Sequence, residues 1–148
     1  MSVKSKQAAE TFGSGFNCTQ SVLSVFAEDF GINKDLCLRL ASPFGAGIAC
    51  RQETCGAVTG ALMAIGLKYG KGENGTEEDK ANAYKQSQHF VSQFMEKNQT
   101  ICCRELLGGL DINTTKGMAK IHSLDLFKRR CSKYVQESVE ITELILGK

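Results

Sequence analysis

An all-α fold is predicted: a single-domain helical bundle of about five to seven helices spanning residues 1–148. Three observations lead there. Apolar side chains recur three and four positions apart along most of the chain, capping residues precede those runs, and no tract alternates apolar and polar residues as strands would. A chain of 148 residues fits one domain, long enough to bury roughly 70% of its unfolded surface.

The elements follow in order. Asn17 with Gln20 reads as a capping box, and Cys18, Val22, Val25, Phe26 and Phe30 then share a face until Gly31. Asn33 can cap a short helix carrying Leu36, Cys37, Leu40 and Ala41; Pro43, Gly45 and Gly47 then break the pattern into a loop. A third helix is expected from near Thr54 to Tyr69, stopped by Gly70 and Gly72. It has a large apolar stripe, Val58, Leu62, Ile65 and Tyr69, and a small one, Gly56, Gly60 and Ala64. Each internal glycine costs about 1 kcal/mol of helix propensity, which is understandable if another helix must approach that face closely.

Thr76 followed by Glu77, Glu78 and Asp79 is a helix start that the macrodipole favours. Ala83, Ser87, Phe90, Val91 and Phe94 form the buried side, and the glycine-rich Tyr69–Thr76 stretch before it is the expected mobile loop. Thr100 can cap a short helix through Cys102, Cys103, Leu106 and Leu107, closed by Gly108 and Gly109. A weakly patterned segment from Thr114 leads to a last helix with Phe127, Cys131, Tyr134, Val135, Ser138 and Ile145 facing inward.

Charge narrows the function classes. Lys and Arg number 18 against 16 Asp and Glu, a balance of +2 spread along the chain. No nucleic-acid footprint is expected from that distribution, and Lys128-Arg129-Arg130 reads as a solvated helix face. Gly60–Leu67 is the most apolar stretch and falls far short of the ~20 residues that cross a bilayer, so no membrane insertion is expected. Met1–Glu10 has lysines and no apolar h-region, which gives a cytoplasmic reading. In that compartment thiols stay reduced, and clustered cysteines mean metal or redox chemistry in preference to structural disulfides.

The seven cysteines are not scattered evenly. Cys18 and Cys55 stand at helix starts, and Cys102 and Cys103 follow the cap at Thr100. Unpaired N–H groups at such positions favour a thiolate, and Arg51 and Arg104 could add to the effect. Cys18, Cys55 and Cys103 each begin an apolar stripe and should face the core or a crevice in it; Cys131 lies on the inward face of its helix. Packing alone would also explain any one of them, because a free cysteine behaves as a small hydrophobe. Cys37, between Leu36 and Leu40, reads as core filling, whereas Cys50 and Cys102 are candidate auxiliary thiols. Cys50 and Cys55 make a C-x4-C spacing with no third cysteine nearby. His89 reads as a surface residue, and neither it nor His122 supplies the partner a cysteine hydrolase needs.

Asn17-Cys18, Cys55-Gly56-Ala57-Val58-Thr59-Gly60, Cys103-Arg104-Glu105-Leu106, and Cys131 near Tyr134-Val135 resemble the C_GCAxxG_C_C family. The resemblance runs from about Ala8 to Ile145. Its members are small, are described as redox proteins because of their four cysteines, and are often encoded near transporters; no settled substrate comes with the name. Carried over, the pattern selects Cys18, Cys55, Cys103 and Cys131.

Three readings stay open. In the first, thiol–disulfide exchange or electron transfer, Cys55 attacks, Cys103 resolves, and Cys18 with Cys131 form a second pair; four cysteines allow three connectivities. In the second, the same four cysteines hold zinc or an iron–sulfur cluster. In the third, the chain is a non-catalytic interaction module associated with a transporter. The partner is then an unidentified redox protein or transporter, and a homo-oligomer is compatible with each reading.

Overall fold

A computed structural model describes residues 1–147. It contains eight α-helices: α1 (Val3–Gly13), α2 (Cys18–Ser24), α3 (Lys34–Ala41), α4 (Gly56–Tyr69), α5 (Glu77–Asn98), α6 (Cys103–Leu106), α7 (Thr115–Ser123) and α8 (Ser132–Leu146). Short 3-10 turns at Glu28–Phe30 and Ser42–Phe44 and a π-turn at Phe127–Cys131 complete it. The described residues form no strand; one isolated bridge joins Thr54 to Cys102. The fold is all-α, with one helix beyond the expected range. None of the helices is long and apolar enough to cross a membrane.

The expected caps organise the first half. Asn17 and Gln20 form a reciprocal capping box at α2, as do Thr76 and Asp79 at α5, and Asn33 caps α3 by accepting from the Leu36 N–H. Two expectations need correction here. The run from Cys18 to Phe30 is not one helix, because α2 stops at Ser24 and tighter turns carry the chain to Gly31 at φ +65°. On α3 it is Cys37 and Ala41 that are buried, while Leu36 and Leu40 are exposed.

α4 lies at the centre, packed against α2, α5 and α8, and α1 packs along α8. The glycine stripe explains the closeness of α2. A Cβ on Gly56 would stand 2.6 Å from Thr19 Oγ1, and one on Gly60 would stand 2.7 Å from the Thr19 carbonyl oxygen. The main core gathers Val22, Phe26, Val58, Ile65, Phe90, Phe94, Val135 and Val139, each fully buried. Phe94 stacks on Phe90 and meets Tyr134 edge-on, both at 6.1 Å between ring centres.

A smaller apolar cluster of Leu107, Ile121, Leu126 and Cys131 forms beside the main core. Phe12 and Cys18 pack against both clusters. The cysteines meet at this seam.

Candidate functional site

Each of the four pattern cysteines reaches the seam by its own local device. Cys18 is the first residue of α2 and is positioned by the Asn17–Gln20 box, with both reciprocal hydrogen bonds at 2.9 Å. Cys55 is the N-cap of α4, one residue earlier than the predicted first helical position. Its N–H donates to the Ile101 carbonyl at 2.7 Å, and the Cys103 N–H donates to the Glu53 carbonyl. These bonds flank the Thr54–Cys102 bridge, so the starts of α4 and α6 lie side by side. Cys102, not Thr100, caps α6; the Thr100 hydroxyl instead accepts from the Cys102 N–H at 3.0 Å.

Cys131 closes the π-turn that runs into α8. Such wide turns inside helices recur at functional sites. Two hydrogen bonds fasten this region to α6: the Tyr134 hydroxyl donates to the Leu106 carbonyl at 3.0 Å and Arg130 Nη1 donates to the same oxygen at 3.3 Å. Arg130 is thus anchored over the site, although the basic triplet reads from sequence as a merely solvated face.

Cys18, Cys55, Cys103 and Cys131, joined by Cys50, line one cavity of about 280 Å³. Its remaining walls are mainly apolar, including Phe12, Leu106, Met118 and Phe127. The larger grooves over α1–α3 and beside α7 contain no cysteine. Cys37 is buried elsewhere in the main core. Cys102 does not line the cavity; its thiol donates to the Gln52 carbonyl at 3.5 Å. His89 is exposed and bonds to Gln93, while His122 stands edge-on to Phe127 outside the cavity.

The electrostatics differ from the helix-terminus expectation. Burial pushes the Cys55 and Cys103 thiols up to about 12, outweighing the backbone N–H groups of Ala57 and Val58 that favour a Cys55 thiolate. Cys18 is held well above the usual thiol value, first by its hydrogen bond with Cys131 and then by burial. Only Cys131 is lowered, because the Cys18 S–H donates to it and the Arg130 guanidinium favours its negative form. Arg130 therefore has the influence expected of Arg51 and Arg104. Arg51 instead pairs with Glu53, and Arg104 Nε donates to the Gly109 carbonyl at 3.1 Å. The direction of proton sharing within the Cys18–Cys131 pair follows from that guanidinium, which acts on Cys131.

The wall between Pro43 and α4 is unusual. Ala46, Gly47, Ile48, Ala49 and Cys50 have φ of +52°, +71°, +71°, +49° and +65°, a left-handed turn in which only one residue is glycine. Left-handed backbone costs roughly 1–2 kcal/mol for each residue with a Cβ, so the surroundings must impose it. Backbone bonds within the turn do so, from Cys50 N to Gly45 O, Gln52 N to Ala46 O and Glu53 N to Gly47 O, at 3.1, 3.0 and 2.8 Å. The buried Gln52 amide locks the turn to the next loop by donating to the Leu110 carbonyl and accepting from the Ile112 N–H, both at 2.9 Å. Pro43, Gly45 and Gly47 signal a loop, but nothing in their pattern signals its handedness or its place at the cavity.

The described residues contain no group of three or more His, Cys, Asp or Glu side chains arranged to hold a metal ion. The chemistry directly on hand is that of five cysteines lining one cavity, with mainly apolar walls limiting water. No curated protein and no solved structure matches the chain. A family model described as "Putative redox-active protein (C_GCAxxG_C_C)" matches residues 16–145, and with four thiols on one cavity the chain belongs to that family.

Proposed function

We propose that the protein is a thiol–disulfide exchange protein that cycles between dithiol and disulfide at Cys18 and Cys131. The observation that carries this reading is that Cys18 and Cys131 line one cavity with three more cysteines and shift each other's proton affinity in opposite directions. A thiolate is the attacking species in disulfide exchange, and Cys131 is the cysteine whose neighbours favour that form. Cys18 keeps its proton while Cys131 is charged. Once the Cys131 sulfur is bound in a disulfide, the main cause that raises Cys18 is gone, and Cys18 can attack in turn. Two electrons pass from the pair to an acceptor disulfide, one S–S bond forms as one breaks, and the Cys18 proton and one from water end on the two thiols released.

This assignment reverses the order expected from sequence, where Cys55 attacks and Cys103 resolves. Burial keeps those two protonated, and they serve as neighbours through which the disulfide can migrate. A reducing compartment such as the cytoplasm suits the cycle, because a thiol pool there can regenerate the dithiol.

The test is a redox titration of the reduced protein followed by blocking and mass mapping. A reversible disulfide between Cys18 and Cys131, lost in Cys18→Ala and Cys131→Ala, is expected. Thiols that all stay reduced across the glutathione range would refute the reading. A second reading takes Cys18, Cys55, Cys103 and Cys131 as thiolate ligands of zinc or a cluster, which would have to draw them closer than they stand here. Stoichiometric metal in anaerobically purified protein would favour it.

A further inference from the structure

Resting on the thiol-exchange reading, we propose that Cys50 is a surface relay through which charged disulfides, too polar to enter the apolar cavity, exchange with the buried thiols. Among the five cysteines that line the cavity, Cys50 alone is exposed; Cys55 and Cys131 are buried, and Cys18 and Cys103 are half-buried. None of the described residues lining the cavity is Asp, Glu, Lys, Arg or His. A disulfide bearing carboxylates or ammonium groups would lose its hydration there without a partner, which is strongly unfavourable. Such a molecule meets Cys50 first, because it is the most exposed cysteine of the cavity.

The inner partner of Cys50 is Cys103. Both line the same cavity. The left-handed turn lies directly against Cys103: a Cβ on Gly47 would stand 2.7 Å from the Cys103 Cβ. Cys50 is also held in place, since Asn113 Nδ2 donates to its carbonyl at 2.8 Å and its own N–H is bonded to Gly45. A solvent-exposed thiol fixed in this way is suited to a handover between two defined positions.

The steps balance as successive exchanges. The Cys50 thiolate attacks an external disulfide RSSR, forming Cys50–S–S–R and releasing one RSH after proton uptake. Cys103, giving up its proton, attacks the Cys50 sulfur and expels the second RSH, leaving a Cys50–Cys103 disulfide. The Cys131 thiolate then attacks Cys103 and frees Cys50, and Cys18 attacks Cys131 and frees Cys103. The net change is oxidation of the Cys18–Cys131 dithiol and reduction of RSSR to two RSH.

The experiment compares fully reduced wild-type protein with Cys50→Ser and Cys50→Gly, the latter suited to the positive φ. Each is mixed with oxidised glutathione, which is charged, or dimethyl disulfide, which is small and apolar, then acid-quenched and mass-mapped. With glutathione, both variants should form the Cys18–Cys131 disulfide at least about tenfold more slowly than wild type, because the accessible attacking thiol is gone. With dimethyl disulfide all three should react alike, and Cys103→Ser should accumulate glutathione on Cys50. Wild-type rates in both Cys50 variants with glutathione would overturn the relay while leaving the exchange reading intact. Equal slowing with both disulfides would also overturn it, by placing the effect in the cavity itself. Failure of wild type to form the disulfide with either reagent would instead remove the exchange reading, and the relay with it.

Discussion

Two neighbours lower the Cys131 pKa: the thiol of Cys18 and the guanidinium of Arg130. Arg130→Gln removes the positive charge, so the Cys131 pKa rises and the thiolate fraction at neutral pH falls. Alkylation of Cys131 by iodoacetamide should slow a few-fold at pH 7 and recover at higher pH. An unchanged pH profile would show that Arg130 has no electrostatic role. Cys55 and Cys103 are shifted the other way, from 9.0 to about 12. The folded protein therefore holds protons that the unfolded chain releases above pH 9, and stability must fall as pH rises from there toward 12. For the buried Cys55 the loss reaches a few kcal/mol, because each tenfold difference in proton affinity between folded and unfolded chain is worth about 1.4 kcal/mol. The half-buried Cys103 contributes less because solvent screens it. The urea midpoint should decline over that window, and Cys55→Ala should flatten the decline.

At the scale of the elements, the close pairing of α2 and α4 depends on glycines that are poor helix formers. Gly60→Ala improves local propensity by about 1 kcal/mol, yet its new Cβ meets the Thr19 carbonyl oxygen at 2.7 Å. Backbone must move, and overpacking of this kind costs typically about 1–3 kcal/mol. The variant should unfold at lower urea, and Cys18, one residue from Thr19, should shift against Cys131 and form its disulfide more slowly. Equal or greater stability would contradict the packing account. This close approach is legible in sequence as an i, i+4 stripe of small residues, as are the capping box of α2 and the acidic helix start at Thr76, because all are local regularities. α1 is not anticipated, since it buries only Ser5 and Ala8 among charged and polar residues and gains its stability from packing on α8. α7 is another surprise: capped by Thr114 and burying only Gly117 and Ile121, it carries too sparse a pattern to read in advance.

At the scale of the whole molecule, a Cys18–Cys131 disulfide would join the second helix to the last. Crosslinking a loop of roughly a hundred residues removes much unfolded-chain entropy and stabilises by up to about 4 kcal/mol when the native geometry accepts the bond. Since the two thiols already line one cavity, oxidised protein should melt several degrees above reduced protein. The difference should vanish in Cys18→Ala. Identical melting of the oxidised and reduced forms would mean that closure strains the bundle as much as it restrains the chain. The cavity at the seam of the two apolar clusters is a property of this scale alone, since its walls come from α1, α2, the left-handed turn, α4, α6, α7, the π-turn and α8.

The amino-acid sequence by itself determined the helical class, most caps, the small-residue face of α4 and the four cysteines of the pattern. All of these depend on residues within a few positions of one another or on a recognisable spacing. Tertiary structure decided which thiol has its proton affinity lowered, because Cys18 is raised first by its interaction with Cys131, and burial, a long-range property, raises Cys55 and Cys103 despite their helix-start positions. It also decided that Cys50 joins the cavity, through a left-handed turn that Gln52 and Asn113 tie to the loop after α6.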